Sequence, residues 1–404
     1  MSLRVVSCIA SNYLPFARVL ADSVRERHPG AWVQVLVVDA GDRALDDEPF
    51  EVLTPRTVGC PAGELARRAL AYDTQALVSS LKPRALTAAL AGAGGDAVLL
   101  LDADVLVCGD LRPLAELARR HAVLLSPHSS APIEHRRGGG GAEEAFLRAG
   151  AYNGGFVGAG PGAEAFCAWW DERCARDCVR DAGRRLVLSQ TWLDLVPGLF
   201  GAAVTRDPGV NVMGHNLHDR DAVAGDDGWT IDGVPLRFLH FASFDPSRPD
   251  RLGTCAEDSW CDVDGRPGVA ALARAYAERL RAHGWTSDRP APDFTVLPDG
   301  PQITPAMRRA YLDELVAAER DARDPPPNPL EGASSEDFLR WLARPASPSH
   351  PWLTRYLLAT HRVRDDLRRA WPLVPGDHTE PYLAWCDSEL AAQDPVAEQI
   401  ALRA

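Results

Sequence analysis

Ala97-Val98-Leu99-Leu100-Leu101-Asp102-Ala103-Asp104-Val105 decides how this chain reads. An unbroken apolar run suits a strand buried on both faces, as in a parallel sheet, and not a half-exposed strand of alternating pattern. Two aspartates one residue apart close the run. With the backbone extended, both carboxylates point the same way. Like charges placed so repel each other and resist desolvation. A divalent cation removes both costs, because hard cations take oxygen ligands. The plain alternative is a turn whose aspartates cap the next segment. The buried strand in front of the pair favours the cation site.

Upstream, Leu3 to Ala10 is a β-rich run, Leu14 to His28 has helical periodicity, and Trp32 to Asp39 is a second strand ending in an acid. Glu64 to Ala71 and Leu81 to Ala91 read as helices, and Gly92 to Asp96 breaks the chain. Strands alternating with helices imply βαβ units and an α/β sheet, where ligands sit at the carboxyl ends of strands. Downstream, the glycine run in Arg136 to Ala142 reads as a loop, Gly162 to Arg180 as a helix and Leu236 to Phe241 as a late strand. Trp285 to Thr304, rich in Pro, Asp and Gly, reads as a crossing segment. Beyond it Met307 to Arg320, Glu336 to Ala343, Trp352 to Ala359 and His361 to Ala370 are helical in pattern, with a polyproline-like break at Asp324 to Pro329. The expected organisation is a catalytic α/β domain over residues 1–285 and a mainly α extension over 286–404.

The chain has 404 residues, 46% of them apolar and 25% charged, enough for a sizeable core. Its net charge is -13, which argues against a non-specific grip on nucleic acid. A local pocket can still oppose that sign and take a small anion. No run approaches the roughly 18 to 20 apolar residues that span a bilayer. Met1 to Ala10 lacks the features of a signal peptide, so a cytoplasmic location is expected. The nine cysteines include Cys167, Cys174 and Cys178 at helical spacing and Cys255 and Cys261 around a loop. Neither set has the close pairs of a zinc site, and buried free thiols are expected.

Other residues bear chemistry. His240 ends the β-like run Leu236 to Phe241. A neutral imidazole there suits a third manganese ligand, or it is a satisfied core histidine. Tyr152-Asn153-Gly154-Gly155-Phe156 sets an amide beside two glycines, fit either for close approach to a sugar or for a plain turn. In Ser189-Gln190-Thr191-Trp192-Leu193-Asp194, Gln190 is a candidate for contact near an anomeric carbon and Asp194 is an available carboxylate or a surface residue. Arg206 to Val212 with His215-Asn216-Leu217-His218 is polar enough for a sugar or acceptor rim, or for a loop. Lys82 is the single lysine among many arginines, so either a compact ammonium matters there or it stands by chance.

In this order, Ala10-Ser11-Asn12-Tyr13-Leu14-Pro15, Leu81-Lys82-Pro83, Leu101-Asp102-Ala103-Asp104, Tyr152 to Phe156, Gln190 to Phe200, Asp207 to Leu217 and His240-Phe241 resemble bacterial GT-A glycosyltransferases, close in pattern to the glycogenin and galactosyltransferase-like family 8. The likeness covers about residues 3 to 250. It implies a GT-A sheet, Rossmann-like and mixed, flanked by helices, and a helical extension at the C-terminus. It also implies hexosyl transfer from a nucleotide-diphosphate sugar, a uridine donor, retention of configuration and a hydroxyl acceptor on a glycan, a lipid-linked glycan or a small molecule. Ala10, Asn12 and Tyr13 would hold nucleobase and ribose with Asp39 nearby. Asp102, Asp104 and His240 would bind Mn2+ or Mg2+ and the diphosphate, with Ala103 between the acids and Lys82 near the donor. Asn153, Gly154 and Gln190 would face the transferred sugar, with Asp194 close by.

Two departures stand out. Ser189 occupies the place where relatives often carry an acid before the glutamine. After His240 the chain continues Phe244-Asp245-Pro246, without the family's phosphate-binding lysine, and Arg248 or Arg251 is the expected substitute. One rival is a sugar-1-phosphate nucleotidyltransferase, which would carry a glycine-rich basic loop where Ser11 to Pro15 stands. Another is a carbohydrate- or nucleotide-binding protein that kept the fold without the chemistry, disfavoured by the intact acid pair.

Overall fold

The computed structural model describes residues 2–133, 142–217, 220–253 and 262–401. The glycine loop at 136–142, except for its last residue, lies outside them, as do His218, Cys255 and Cys261. The chain divides into two compact units. The first is Met1–Cys60 with Val78–Ala291, and the second is Pro61–Leu77 with Pro292–Ala404.

In chain order the elements are β1 (Arg4–Ile9), α1 (Leu14–Arg27), β2 (Trp32–Val37), β3 (Glu51–Leu53), α2 (Ala62–Ala71) and α3 (Thr74–Ala91). Next come β4 (Val98–Leu101), β5 (Val105–Val107), α4 (Arg112–His121), β6 (Val123–Pro127), α5 (Ala142–Ala149), β7 (Tyr152–Ala159) and α6 (Glu164–Asp177). Then follow β8 (Arg180–Asp181), β9 (Leu186–Val187), α7 (Val196–Phe200), β10 (Ala203–Val204), β11 (Ala222–Gly225), β12 (Gly228–Ile231), β13 (Val234–Pro235), β14 (Phe238–His240) and α8 (Pro267–Ala282).

Seven strands of the first unit form one mixed sheet, ordered β10-β6-β7-β4-β1-β2-β3. β3, β2, β1 and β4 are parallel neighbours, while β7 runs antiparallel between β4 and β6. Both faces are covered, as the continuous apolar runs require. On one face Val5, Ile9, Val33, Val35, Leu99 and Leu101 pack with Phe16 and Leu20 of α1 and Tyr276 and Leu280 of α8. On the other, Val6, Cys8, Leu36, Val98 and Leu100 are equally buried. α1 starts on Pro15, pre-set for a first helical turn, and buries Phe16, Val19, Leu20 and Val24 along one stripe.

The second unit is mainly helical. α9 (Pro305–Arg320) and α10 (Ser335–Ala343) start on Thr304 and Ser334, whose hydroxyls accept from Met307 N (3.2 Å) and Asp337 N (3.0 Å). A ribbon of β15 (Pro345–Ser347) and β16 (His350–Thr354) then precedes α11 (Arg355–Val363). The helix expected over Trp352 to Ala359 is therefore corrected. Trp352 and Leu353 are strand, and the helix starts after Thr354, whose hydroxyl accepts from Leu357 N (3.2 Å). Apolar periodicity runs through both elements, so only the cap marks the change. Among the described residues, no helix is long and apolar enough to cross a membrane.

Candidate active site

The sheet brings the acid pair to His240 through two backbone clamps. Asp102 N donates to Gly155 O of β7 (2.9 Å), and Phe241 N, just past β14, donates to Asp104 O (2.8 Å). Between them β5 pairs antiparallel with β14, His240 facing Val105. The backbone does not stay extended through the pair, as expected from the sequence, but turns at Ala103 and Asp104. That turn still makes both carboxylates converge. One ligand atom from each of Asp102, Asp104 and His240 lies within 4.8 Å of the others. His240 Nε2 is 3.2 Å from Asp104 Oδ1 and 4.0 Å from Asp102 Oδ2.

The donor set fits a divalent cation. His240 Nδ1 donates to Asn211 Oδ1 (3.1 Å), which leaves Nε2 as the nitrogen facing the acids. Asn211 is fully buried, holds φ +53, and arrives through Val212, whose carbonyl accepts from His240 N (2.8 Å). Asn211, expected at a rim, thus stands behind the histidine. Burial opposes a charged His240, but the Asp104 carboxylate outweighs it and the imidazole is held above its ordinary range. Burial likewise opposes an ionised Asp104, and His240 outweighs it, holding that carboxylate low.

Lys82 is no surface residue. It is 6% exposed, its Nζ lies 2.5 Å from Asp102 Oδ1, and it donates to Gly154 O (3.0 Å). Burial works against its charge, yet Asp102 holds the ammonium above its usual value. Lys82→Met leaves a half-buried carboxylate unpaired. A fully buried broken pair costs more, so we expect a loss of about 2 kcal/mol, read from urea unfolding. An unchanged unfolding midpoint contradicts the pairing.

Asn153 and Gly154, on β7 and not in a turn, come together with Gln190. Gln190 Oε1 accepts from Gly154 N (2.9 Å) and Asn153 Nδ2 (3.5 Å), while its Nε2 donates to Ala149 O (2.8 Å). Gly155 N donates to Asn153 Oδ1 (2.8 Å). Asp194 accepts from Ala151 N (2.8 Å), and burial raises its pKa against that bond.

Behind Asn153 stands His128, which the sequence did not single out. Its Nε2 lies 3.3 Å from Asn153 Nδ2, and its ring stacks on Phe146. Burial, with His215 nearby, pushes its pKa down to about 4 from 6.5. The folded protein therefore keeps it neutral while the unfolded chain takes up a proton. Stability is lost as pH falls from 6.5 to about 4, by up to about 3 kcal/mol. His128→Gln, which keeps an acceptor, is expected to remove most of that loss. Equal pH dependence of the two proteins in urea unfolding contradicts this.

At the carboxyl end of β1, Ser11 donates to Asp39 through its N and Oγ (2.7 Å each), shaping the loop that begins at Ala10. Tyr13 N closes on Ala10 O (2.9 Å), and the Tyr13 ring stacks on Phe16. Burial, then the Asp104 charge, pushes the Tyr13 phenol up to about 12. Asn12 Oδ1 is buried without a partner. Of the two arginines expected near the missing lysine, Arg248 is exposed and Arg251 lies 3.1 Å from Asp262.

No family model matches the chain. YfnD, an uncharacterized protein of Bacillus subtilis (strain 168), is 33% identical over 106 residues, or 24% of this chain and only 33% of that protein's length. Among solved structures, the chain is similar to the galactosyltransferase LgtC in complex with donor and acceptor sugar analogs, at 17% identity and a TM-score of 0.42, over 71% of this chain and 98% of that one. It is similar to the glycosyltransferase GlyE of Streptococcus pneumoniae TIGR4 at 14% identity and a TM-score of 0.36, over 73% of this chain and 67% of that one. For mouse xyloside xylosyltransferase 1 the identity is 9% and the TM-score 0.37, over 59% of this chain and 97% of that one. Each is a likeness of chain path, and the chemistry of the site stands on its own side chains.

Proposed function

We propose that the chain is a metal-dependent glycosyltransferase of GT-A type that moves a sugar from a nucleoside-diphosphate donor, expected to be UDP-linked, to a hydroxyl acceptor. One observation carries the reading: Asp102, Asp104 and His240 converge within 4.8 Å at the end of a buried strand. Beside them lies the amide cluster of Asn153 and Gln190, with Gly154 O and Asp102 bridged by Lys82. A divalent cation, manganese or magnesium, bound by the three ligands supplies the charge that a departing diphosphate needs.

The remaining roles belong to the chain's own groups. The turn from Ala10 to Tyr13, braced by Asp39, receives the nucleoside. Ala103 between the acids lets the donor pass close to the backbone. Lys82 stays between Asp102 and the transferred sugar. Asn153, held by His128, and Gln190, tied to strand and loop, offer fixed amides to sugar hydroxyls. Asp194 braces the turn at Ala151. Gln190 is a neutral group and Ser189 replaces an acid, so neither supplies a carboxylate nucleophile. Retention, which the resemblance implies, then calls for attack by the acceptor on the face the leaving group vacates, and not for a double displacement. Residues 1–285 would carry most of the catalytic site and 286–404 the helical extension.

The test is a screen of nucleotide sugars with manganese for slow hydrolysis, reading released nucleotide and product anomer by NMR. Release of a nucleoside diphosphate with a retained anomer supports the proposal. Release of pyrophosphate from a nucleoside triphosphate would point to nucleotidyl transfer instead, and binding without turnover to a non-catalytic protein.

A further inference from the structure

The segment that follows α8 returns to the Ser11–Tyr13 loop and places an arginine there. Arg289 Nη1 donates to Asn12 O (3.1 Å), and its guanidinium lies 5.3 Å from the Tyr13 ring, 5.5 Å from Phe16 and 5.9 Å from Trp285. It is half-buried and, among the described residues, has no carboxylate within ion-pair distance. Two residues it touches carry buried polar atoms without partners, Asn12 Oδ1 and Trp285 Nε1, and a third such atom is Tyr276 Oη behind Phe16. Buried polar groups left unpaired are costly and ask for a missing partner. Tyr276 is fully enclosed on α8, and the Phe16 ring lies 6.4 Å from its ring.

Charge bookkeeping makes the position informative. Lys82 is committed to Asp102 and Gly154 O, and His240 faces Asp104. Arg251 lies on Asp262. Arg289 lies beside the stacked Tyr13 and Phe16 rings and donates to a carbonyl, and its charge also reaches the Asp245 carboxylate, which it helps to hold low. A planar guanidinium held this way keeps its donors available for a bidentate anion. Phe16 covers one face of Tyr13, and Arg289 is nearly equidistant from the two stacked rings, so a base stacking on the other Tyr13 face would leave the guanidinium at the side of the stack.

We propose that Arg289 is the cation that binds the donor's diphosphate, in place of a basic residue following His240. The inference rests on the glycosyltransferase reading of the same site. In the ligand-free protein the guanidinium is stored on the Tyr13 and Phe16 rings. With a nucleotide in the loop its N–H groups turn to phosphate oxygens and take up part of the leaving group's charge. The base is held without it.

The test compares UDP with uridine, both with manganese, by calorimetry on the full chain. Arg289→Gln is expected to weaken UDP binding about tenfold or more, the size of a lost charge-assisted hydrogen bond, and to leave uridine within about twofold. Arg289→Lys keeps the charge and recovers part of the UDP affinity, which separates loss of charge from loss of packing. A thermal melt of each variant checks folding. Equal weakening of UDP and uridine would assign Arg289 to the base and overturn the proposal, as would unchanged UDP affinity in both variants. If the wild-type protein binds neither UDP nor GDP with manganese, the parent reading falls, and this inference with it.

Discussion

Asp104→Ala is expected to lower manganese-dependent release of nucleotide from the donor by on the order of 10^2- to 10^3-fold, the usual loss when a group stabilising transition-state charge is removed. Asp104 is the acid nearest His240, 3.2 Å from its Nε2, and its backbone carbonyl is clamped by Phe241 N. The side chain can therefore be removed while the strand pairing that positions its neighbours remains. Folding should survive, since burial favours the neutral imidazole once the Asp104 carboxylate is gone. Stopped assays at saturating donor, with and without manganese, read the effect. Turnover within a few-fold of wild type would reject the metal assignment.

Gly155→Ala should be nearly as damaging, for a steric reason. A Cβ on Gly155 would stand 2.3 Å from His240 Cε1, 2.9 Å from its Nδ1 and 2.8 Å from Asn153 Oδ1. Both side chains are held in place by hydrogen bonds. His240 Nδ1 is tied to Asn211, and Asn153 Oδ1 takes the N–H of Gly155 itself. One methyl thus pushes on a metal ligand and a sugar-side amide together. The expected cost is about 1–3 kcal/mol of stability, typical of overpacking, with loss of manganese affinity. Gly154→Ala is the comparison. Its Cβ would meet Gln190 Cβ at 3.2 Å, a contact that a small shift relieves. Calorimetric manganese titration of the two variants should separate them clearly, and equal affinities would show that His240 is not held as described.

Much of this was legible because burial leaves a direct mark on residue choice. Val98 to Leu101 is apolar at every position because both sheet faces are covered, and the acids that follow could only lie at the strand's end. Lys82 stood out as the single lysine and is in fact buried against Asp102. What stayed hidden depends on contacts distant in sequence. His128 bonds Asn153 across two neighbouring strands, and nothing in Ser126-Pro127-His128 announces it. Asn211 looked like any loop amide, and only the pairing of β14 with β5 puts it behind His240. Arg289 sits in a stretch whose Pro and Asp content reads as a plain connection, and its role follows from the rings it rests on. The strand at Tyr152 to Ala159 was hidden because paired glycines read as a turn. Here they clear room for His240 and Gln190.

The most direct test of the account is the binding of UDP to the full chain with manganese, with EDTA, and in the Asp102→Asn, Asp104→Asn double variant. Clasping of a cation by Asp102, Asp104 and His240 predicts one manganese per wild-type chain. It also predicts UDP affinity that falls at least about tenfold in EDTA, and a double variant that binds UDP equally weakly in either condition. UDP binding that ignores the metal, or manganese bound undiminished by the double variant, would contradict it.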